Sequence, residues 1–258
     1  MGNEFEEFRK GYEKAAKYYN LFASNEDIPF YLSFANEFGS PVLDLAAGTG
    51  RVSFELARKG FDVFAVENSS AMLAVFREEL AKQESSITNR ISLHDADMRN
   101  FSLGRKFPLI IIPTSFGHAL ATEEQLALLR CVHDHLADSG IFILDLFPGG
   151  RQPEYASFEE PPVDIDGGRT VSRSGIMKSD PLKQILSINL TFTIRDGHTG
   201  TVLEEINQKS GAAVVFKREA DLLLMLSNLE CVEEFGDFSK TPYSSDSGRR
   251  ILVIRKKE

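Results

Sequence analysis

Between Val42 and Phe147 short apolar runs alternate with stretches of helical periodicity, and that alternation leaves few folds open. The runs Val42 to Leu45, Asp62 to Val66, Ile91 to His94, Leu109 to Ile112 and Ile141 to Phe147 read as strands. Between them the periodicity predicts helices from Val52 to Lys59, Ser70 to Lys82 and Glu123 to Leu136. Consecutive apolar residues in a strand require burial on both faces, the condition of a parallel sheet covered by helices. Strands joined by crossover helices wind such a sheet in both directions from its middle.

The flanks depart from this style. From Glu4 to Phe38 the pattern is helical, with Phe5, Phe8, Tyr12, Ala15 and Tyr19 at three- and four-residue steps. A break at Ser24-Asn25 precedes a second helix through Phe30, Phe34 and Phe38. After Phe147, Pro148-Gly149-Gly150 and Pro161-Pro162 read as an irregular link. Three β-like stretches follow, near Thr170 to Met177, Gln184 to Ile194 and Val202 to Val215, with turn residues at Ser179-Asp180-Pro181 and Asp196-Gly197. Leu186, Ile188, Leu190 and Phe192 alternate, so one face of that layer is apolar and must be covered. A helix from Arg218 to Leu229 and strands near Cys231 to Phe235 and Ile251 to Arg255 return to the earlier style. The expected architecture is α/β: a doubly wound, seven-stranded, mostly parallel Rossmann-like sheet with an antiparallel β insertion. Residues 1–148 and 216–258 form the core and 149–215 the insertion.

Composition limits the partners. The formal net charge is −9, which disfavours a long nucleic-acid ligand because no broad positive field neutralises phosphates. Arg249, Arg250, Arg255, Lys256 and Lys257 read as a solvated final strand. Cys131 and Cys231 sit in apolar surroundings without metal-ligand spacing and read as reduced core thiols. Met1 to Lys10 contains no long apolar run, so no leader or anchor is expected and the cytoplasm is the expected compartment.

The chemistry concentrates at strand ends. Asp44-Leu45-Ala46-Ala47-Gly48-Thr49-Gly50 closes the first strand, where glycines allow a sharp turn and close approach of a ligand. The following helix offers free N–H groups there. The second strand ends at Glu67, a carboxylate placed to accept from ribose hydroxyls. After the third, Asp97 can accept from an adenine amino group while Met98 lies along the ring. Pro113-Thr114-Ser115-Phe116-Gly117-His118 follows the fourth. His133 and His135 flank Asp134 at a spacing that points them to different helix faces, so both read as solvated and no metal site is expected.

The run V-L-D-L-A-A-G-T-G-R, the strand-ending Glu67, D-M-R-N-F and T-S-F-G-H closely resemble class I methyltransferases dependent on S-adenosylmethionine (SAM). The resemblance covers residues 28 to 147 and extends to Ala16-Lys17-Tyr18-Tyr19-Asn20, where Asn20 stands for the usual acid, and to Gly236-Asp237-Phe238 downstream. Ala47 replaces the common cysteine or glycine. Residues 93 to 120 are most similar to aminosugar N-methyltransferases, while the insertion matches them only in outline. The resemblance implies SAM as cofactor and a small-molecule acceptor. It implies that Ala46, Gly48 and Gly50 pass under methionine and ribose, and that Glu67 binds the ribose. Asn68 and Met72 would border adenosine, Asp97 and Met98 would hold adenine, and Thr114 would line the methionine moiety. Tyr19 would close over the sulfonium from an N-terminal helical lid. His118 is the one histidine expected at the reacting centre, as a base or as a positioning group.

Other readings remain open at this level. A nicotinamide-dependent oxidoreductase lacks support, since Gly50-Arg51-Val52-Ser53 has no third glycine of G-x-G-x-x-G. A regulatory protein that binds SAM without catalysis, a protein or nucleic-acid methyltransferase, and O- rather than N-methylation all fit the motifs. A homodimer through the insertion is a further expectation.

Overall fold

The computed structural model describes Phe8, residues 12–147 and residues 154–257. Phe5 of the expected first helix and the link at 148–153 lie outside these residues. A seven-stranded sheet runs in the order β10-β11-β5-β4-β1-β2-β3. Its members are β1 (Val42–Leu45), β2 (Val63–Glu67), β3 (Ile91–Asp95), β4 (Phe107–Ile112), β5 (Leu136–Leu146), β10 (Leu229–Phe235) and β11 (Arg250–Lys256). β11 runs antiparallel to both its neighbours, and the other pairs are parallel.

Strand alternation divides the core in two. Leu43, Leu45, Ile110, Ile112, Phe142 and Leu144 face helices α4 (Thr122–His135) and α5 (Lys217–Leu226). Val42, Leu109, Ile111, Ile141 and Ile143 face α1 (Ile28–Phe38) and α2 (Arg51–Arg58). A third cluster seats Phe76 of α3 (Ser70–Ala81) against Phe54 and Ile91.

The antiparallel sheet has the order β6-β7-β8-β9, formed by β6 (Tyr155–Ile165), β7 (Arg169–Asp180), β8 (Ile185–Asp196) and β9 (Val202–Ala213). β6 was not expected, because Pro161-Pro162 read as a break. It is the edge strand, and its register slips between Glu160 and Val163, so the prolines interrupt no ladder on both sides. The apolar face of β8 is covered within the chain. Leu190, Phe192 and Ile194 pack with Ala15 and Tyr18, and Phe22 joins them. Those last residues belong to a 3₁₀ helix, Ala16–Phe22, and the turn before it, where one longer helix was expected. The two segments share a small core of their own.

Three readings change. Arg250 is buried and pairs with Asp221 and Glu234, and Arg249 pairs with the buried Asp145, so this part of the basic cluster turns inward. His135 is buried rather than solvated. It stacks on Phe101, donates from Nδ1 to the Cys131 carbonyl and accepts at Nε2 from the Leu103 N–H. Cys231 is exposed on β10 rather than in the core.

Gly50 caps α2 at φ +87°, and a Cβ there would lie 2.7 Å from both Phe54 and Phe76. Left-handed strain and overpacking act together, so Gly50→Ala is expected to lower unfolding free energy by about 1–3 kcal/mol. A chemical-denaturation midpoint equal to wild type would refute this account of the glycine.

Candidate active site

The loops at the carboxyl ends of β1 to β4 surround one cavity. It encloses about 1030 Å³ including its open mouth. The sheet order reverses beside β1, between β2 and β4, where open α/β sheets bind ligands. Ala46 and Gly48 come from the β1 loop, and Glu67, Asn68, Ser69 and Met72 from the end of β2 and the start of α3. Ala96, Asp97, Met98 and Arg99 follow β3, and Ser115 and His118 follow β4. Tyr12 and Tyr19 close one side, with Phe8, Leu120, Ser210 and Gly211.

Each wall has a local cause. Ala46 and Gly48 take positive φ of 52° and 60°, and a Cβ on Gly48 would meet no atom within 4 Å, so the floor is open above it. Glu67 joins two loops: Oε2 accepts from the Gly48 N–H at 2.8 Å, and Oε1 accepts from Asn68 and Ser69 at 2.9 and 2.7 Å. A carboxylate has about four acceptor sites, so about one remains, on Oε2. The Asp97 carboxylate is gripped by the Arg99 guanidinium and backbone N–H. The lid docks by a polar contact as well, Thr49 Oγ1 donating to Asn20 Oδ1 at 2.6 Å. Asn20 is the residue that stands where an acid was expected.

Two expected residues lie outside the lining. Gly50 is spent on packing against Phe54 and Phe76. Thr114 donates its hydroxyl to Asp145 at 2.8 Å, and Ser115 lines the cavity in its place. Sequence reasoning missed Ser210 and Gly211, which reach the cavity from β9, and Arg99 and Leu120. Phe8 and Tyr12 were visible in the helical periodicity but carried no site assignment.

His118 is exposed and lines the cavity. Desolvation holds its imidazole below the usual histidine value, opposed by a backbone hydrogen bond with Gly211. β9 passes so close that a Cβ on Gly117 would lie 3.0 Å from Ala212 and from the Ala213 carbonyl oxygen. Tyr12 and Tyr19 meet edge to face at 5.4 Å, and burial pushes the Tyr12 phenol up to about 12 and the Tyr19 phenol upward. Beneath the floor, burial pushes the Asp44 carboxyl up to about 7, opposed by the Ser53 hydroxyl and Arg51.

A mostly parallel sheet with one antiparallel strand and a cavity over the carboxyl ends of β1 to β4 defines a doubly wound α/β fold with its ligand site at the switch point. Residues 42–140 match the family model described as a methyltransferase domain. The cypemycin N-terminal methyltransferase of a Streptomyces species is 27% identical over 84% of each chain. The dTDP-3-amino-3,4,6-trideoxy-α-D-glucopyranose N,N-dimethyltransferase of Streptomyces venezuelae is 31% identical over 52% of this chain and 53% of its own length, so that match spans about half of the relative. Among solved structures, the CcbJ methyltransferase of Streptomyces caelestis aligns with TM-score 0.79 at 23% identity, covering 98% of this chain and 99% of the other. DesVI of Streptomyces venezuelae aligns with TM-score 0.75 at 24% identity, covering 93% and 98%. These structural likenesses establish the fold, and residues 42–140 are a methyltransferase domain. The chain is an enzyme of the SAM-dependent methyltransferase class.

The residues present fit that cofactor: an uncrowded floor at Gly48, a spare carboxylate site on Glu67, and Met72 and Met98 as apolar walls. Among the described residues no group of three or more His, Cys, Asp or Glu is placed to hold a metal ion.

Asp44 makes stability depend on pH in a defined direction. Its folded pKa lies above the usual carboxylate value of 3.8, so the native state holds a proton that the unfolded chain releases. The contribution is intact below about pH 4 and is lost as pH rises through about 7. Denaturation across that range is expected to show wild type losing stability relative to Asp44→Asn as pH rises. Parallel curves would contradict the assignment.

Proposed function

We propose that this enzyme transfers a methyl group from SAM to the nitrogen of a small amine. One observation carries the reading: His118 and its neighbour Gly117 lie against β9, where Gly211 hydrogen-bonds the imidazole, and the cavity residues on these segments, Leu120, Ser210 and Gly211, with Phe8 packed on Leu120, include no carboxylate. Such a wall favours a neutral amine over an ammonium, and a neutral amine has the lone pair the reaction needs. Of the two relatives described above, one is named as an N,N-dimethyltransferase of an amino-deoxysugar and the other as an N-terminal methyltransferase, which supports a nitrogen acceptor.

SAM, when bound, supplies an activated methyl group on a sulfonium. The protein supplies position and dryness, and orientation of this kind contributes about 7–11 kcal/mol. Glu67 would take a ribose hydroxyl on its remaining acceptor site, and Asp97, Met98, Asn68 and Met72 would border the adenosine. Tyr19 would cover the sulfonium side as part of the lid. His118, whose imidazole desolvation shifts below the usual histidine value, would take the amine's proton on the ring nitrogen not engaged by Gly211. Gly50 and Thr114 would act through packing and through Asp145 rather than by touching the cofactor. A homodimer through the insertion gains nothing from the apolar face of β8, which the chain's own N-terminal segment covers. The two free cysteines accord with a cytoplasmic setting.

The reading is tested by SAM turnover on amines, phenols and carboxylates, with the expected product methylated at nitrogen. Exclusive methylation of oxygen would overturn it. His118→Ala is expected to lower kcat by about 10²–10⁴-fold with SAM affinity retained if the imidazole is the base. A smaller loss, seen partly in the acceptor KM, would make it a positioning group. Glu67→Ala is expected to weaken SAM binding by about 10- to 100-fold in calorimetry, since it removes a charged acceptor and loosens the Gly48 loop. Unchanged affinity would remove Glu67 from the site.

A further inference from the structure

We propose that Phe8 sets which acceptors this enzyme takes, its ring forming the apolar wall that limits bulk beside the amine nitrogen. At the cavity β9 ends in Ser210-Gly211-Ala212-Ala213, a run with no side chain larger than serine. The strand therefore builds little wall of its own there. Phe8 takes that space instead: a Cβ on Gly211 would lie 2.6 Å from two atoms of its ring and 3.1 Å from its own Cβ. The ring is buried, packs on Leu120 and Ile185 with Ala213 alongside, and has Lys209 Nζ 5.3 Å from its centroid. Phe8 also lines the cavity, so a large, rigid side chain held from behind is presented to whatever occupies it.

Three contacts put this wall at the His118 end of the cavity. Gly211, against which the ring lies, hydrogen-bonds the His118 imidazole through its backbone. Leu120, on which the ring packs, follows His118 by two residues. Gly117, just before the histidine, lies against Ala212 and Ala213 of the same run. Asn68, Met72, Asp97 and Met98 line the cavity from the ends of β2 and β3 and belong to none of these contacts. Phe8 and Tyr12 lie on opposite faces of β9. Lys209, Gly211 and Ala213 share the face that Phe8 covers, whereas Tyr12 packs with Leu190, Phe192 and Ile206 on the other. A pocket wall separates acceptors that differ by one methylene by about 10- to 200-fold. A ring backed by Leu120 and Ile185 cannot retreat to admit more, because overpacking a core forces strained rotamers.

This assignment rests on the N-methylation reading, and the experiment separates the two. The full-length enzyme is given glycinamide, alaninamide, valinamide and phenylalaninamide, which differ in bulk on the carbon that bears the amine. Methylation is followed with SAM, and binding by calorimetry with the demethylated cofactor present. Wild type is expected to lose about 10- to 100-fold in both kcat/KM and affinity from glycinamide to phenylalaninamide. Phe8→Ala is expected to flatten or reverse that order, mainly through the acceptor KM, with SAM affinity unchanged. Phe8→Leu is expected to give an intermediate order, and it reads the same quantity should Phe8→Ala not fold. An order unchanged in the folded variants, or no order in wild type, overturns the role of Phe8 and leaves N-methylation standing. Size-ordered binding that the variants flatten, without methylation at nitrogen, overturns N-methylation and leaves the wall. A series that neither binds nor reacts overturns both.

Discussion

One buried carboxylate holds the cofactor side of this cavity together. Glu67 ends β2 and accepts from backbone N–H groups on two separate loops, the glycine turn after β1 and its own entry to α3. Neither loop has another way to satisfy those donors at that depth. The hydrogen bonds fix the Gly48 floor against the Met72 wall, and the cavity keeps its shape because they are made before any ligand arrives. Three of the carboxylate's acceptor sites are spent on architecture, which leaves Glu67 a frame as much as a ligand-binding group.

The opposite side is built by different means. The 3₁₀ helix at Ala16–Phe22 has no core without the insertion, and the insertion's apolar face has no cover without that helix. They pack as one unit over strand ends that belong to the other sheet. Arg173 strengthens the joint, pairing with Glu160, stacking on Phe22 and donating to its carbonyl. Tyr12 and Tyr19 are carried into the cavity by this unit, as are Ser210 and Gly211. Because β9 lies against Gly117, the loop bearing His118 also takes its position from the insertion. Changes in the insertion therefore reach the His118 loop and the N-terminal segment together.

The parallel core was legible because its signals are local. Four apolar residues at Leu109 to Ile112, a glycine turn after Asp44 and an acid at the end of the next run each report on their own strand. Ala46, Gly48, Glu67, Met72, Asp97 and Met98 meet at one cavity for the same reason: strand ends converge in this topology, so residues far apart in the chain come together without any detail of packing. The strand β6 escaped because two prolines suggest a break, and only its place at a free edge makes them harmless. Gly50 and Thr114 were assigned to the cavity from motif position, whereas packing turns one against Phe54 and Phe76 and the other toward Asp145.

By itself the sequence determined the sheet's class and which strand ends meet at the cavity, since periodicity and turn residues encode these directly. Only the tertiary structure decided which polar side chains are spent inside the fold. Gln208 and His135 show why. In sequence the one is a polar residue in a strand and the other a polar residue at a helix end. Burial leaves the first with both hydrogen-bonding atoms unmade among the described residues and gives the second two partners. Whether a polar side chain is spent or free depends on which groups the fold brings within 3 Å of it, and those groups come from distant parts of the chain.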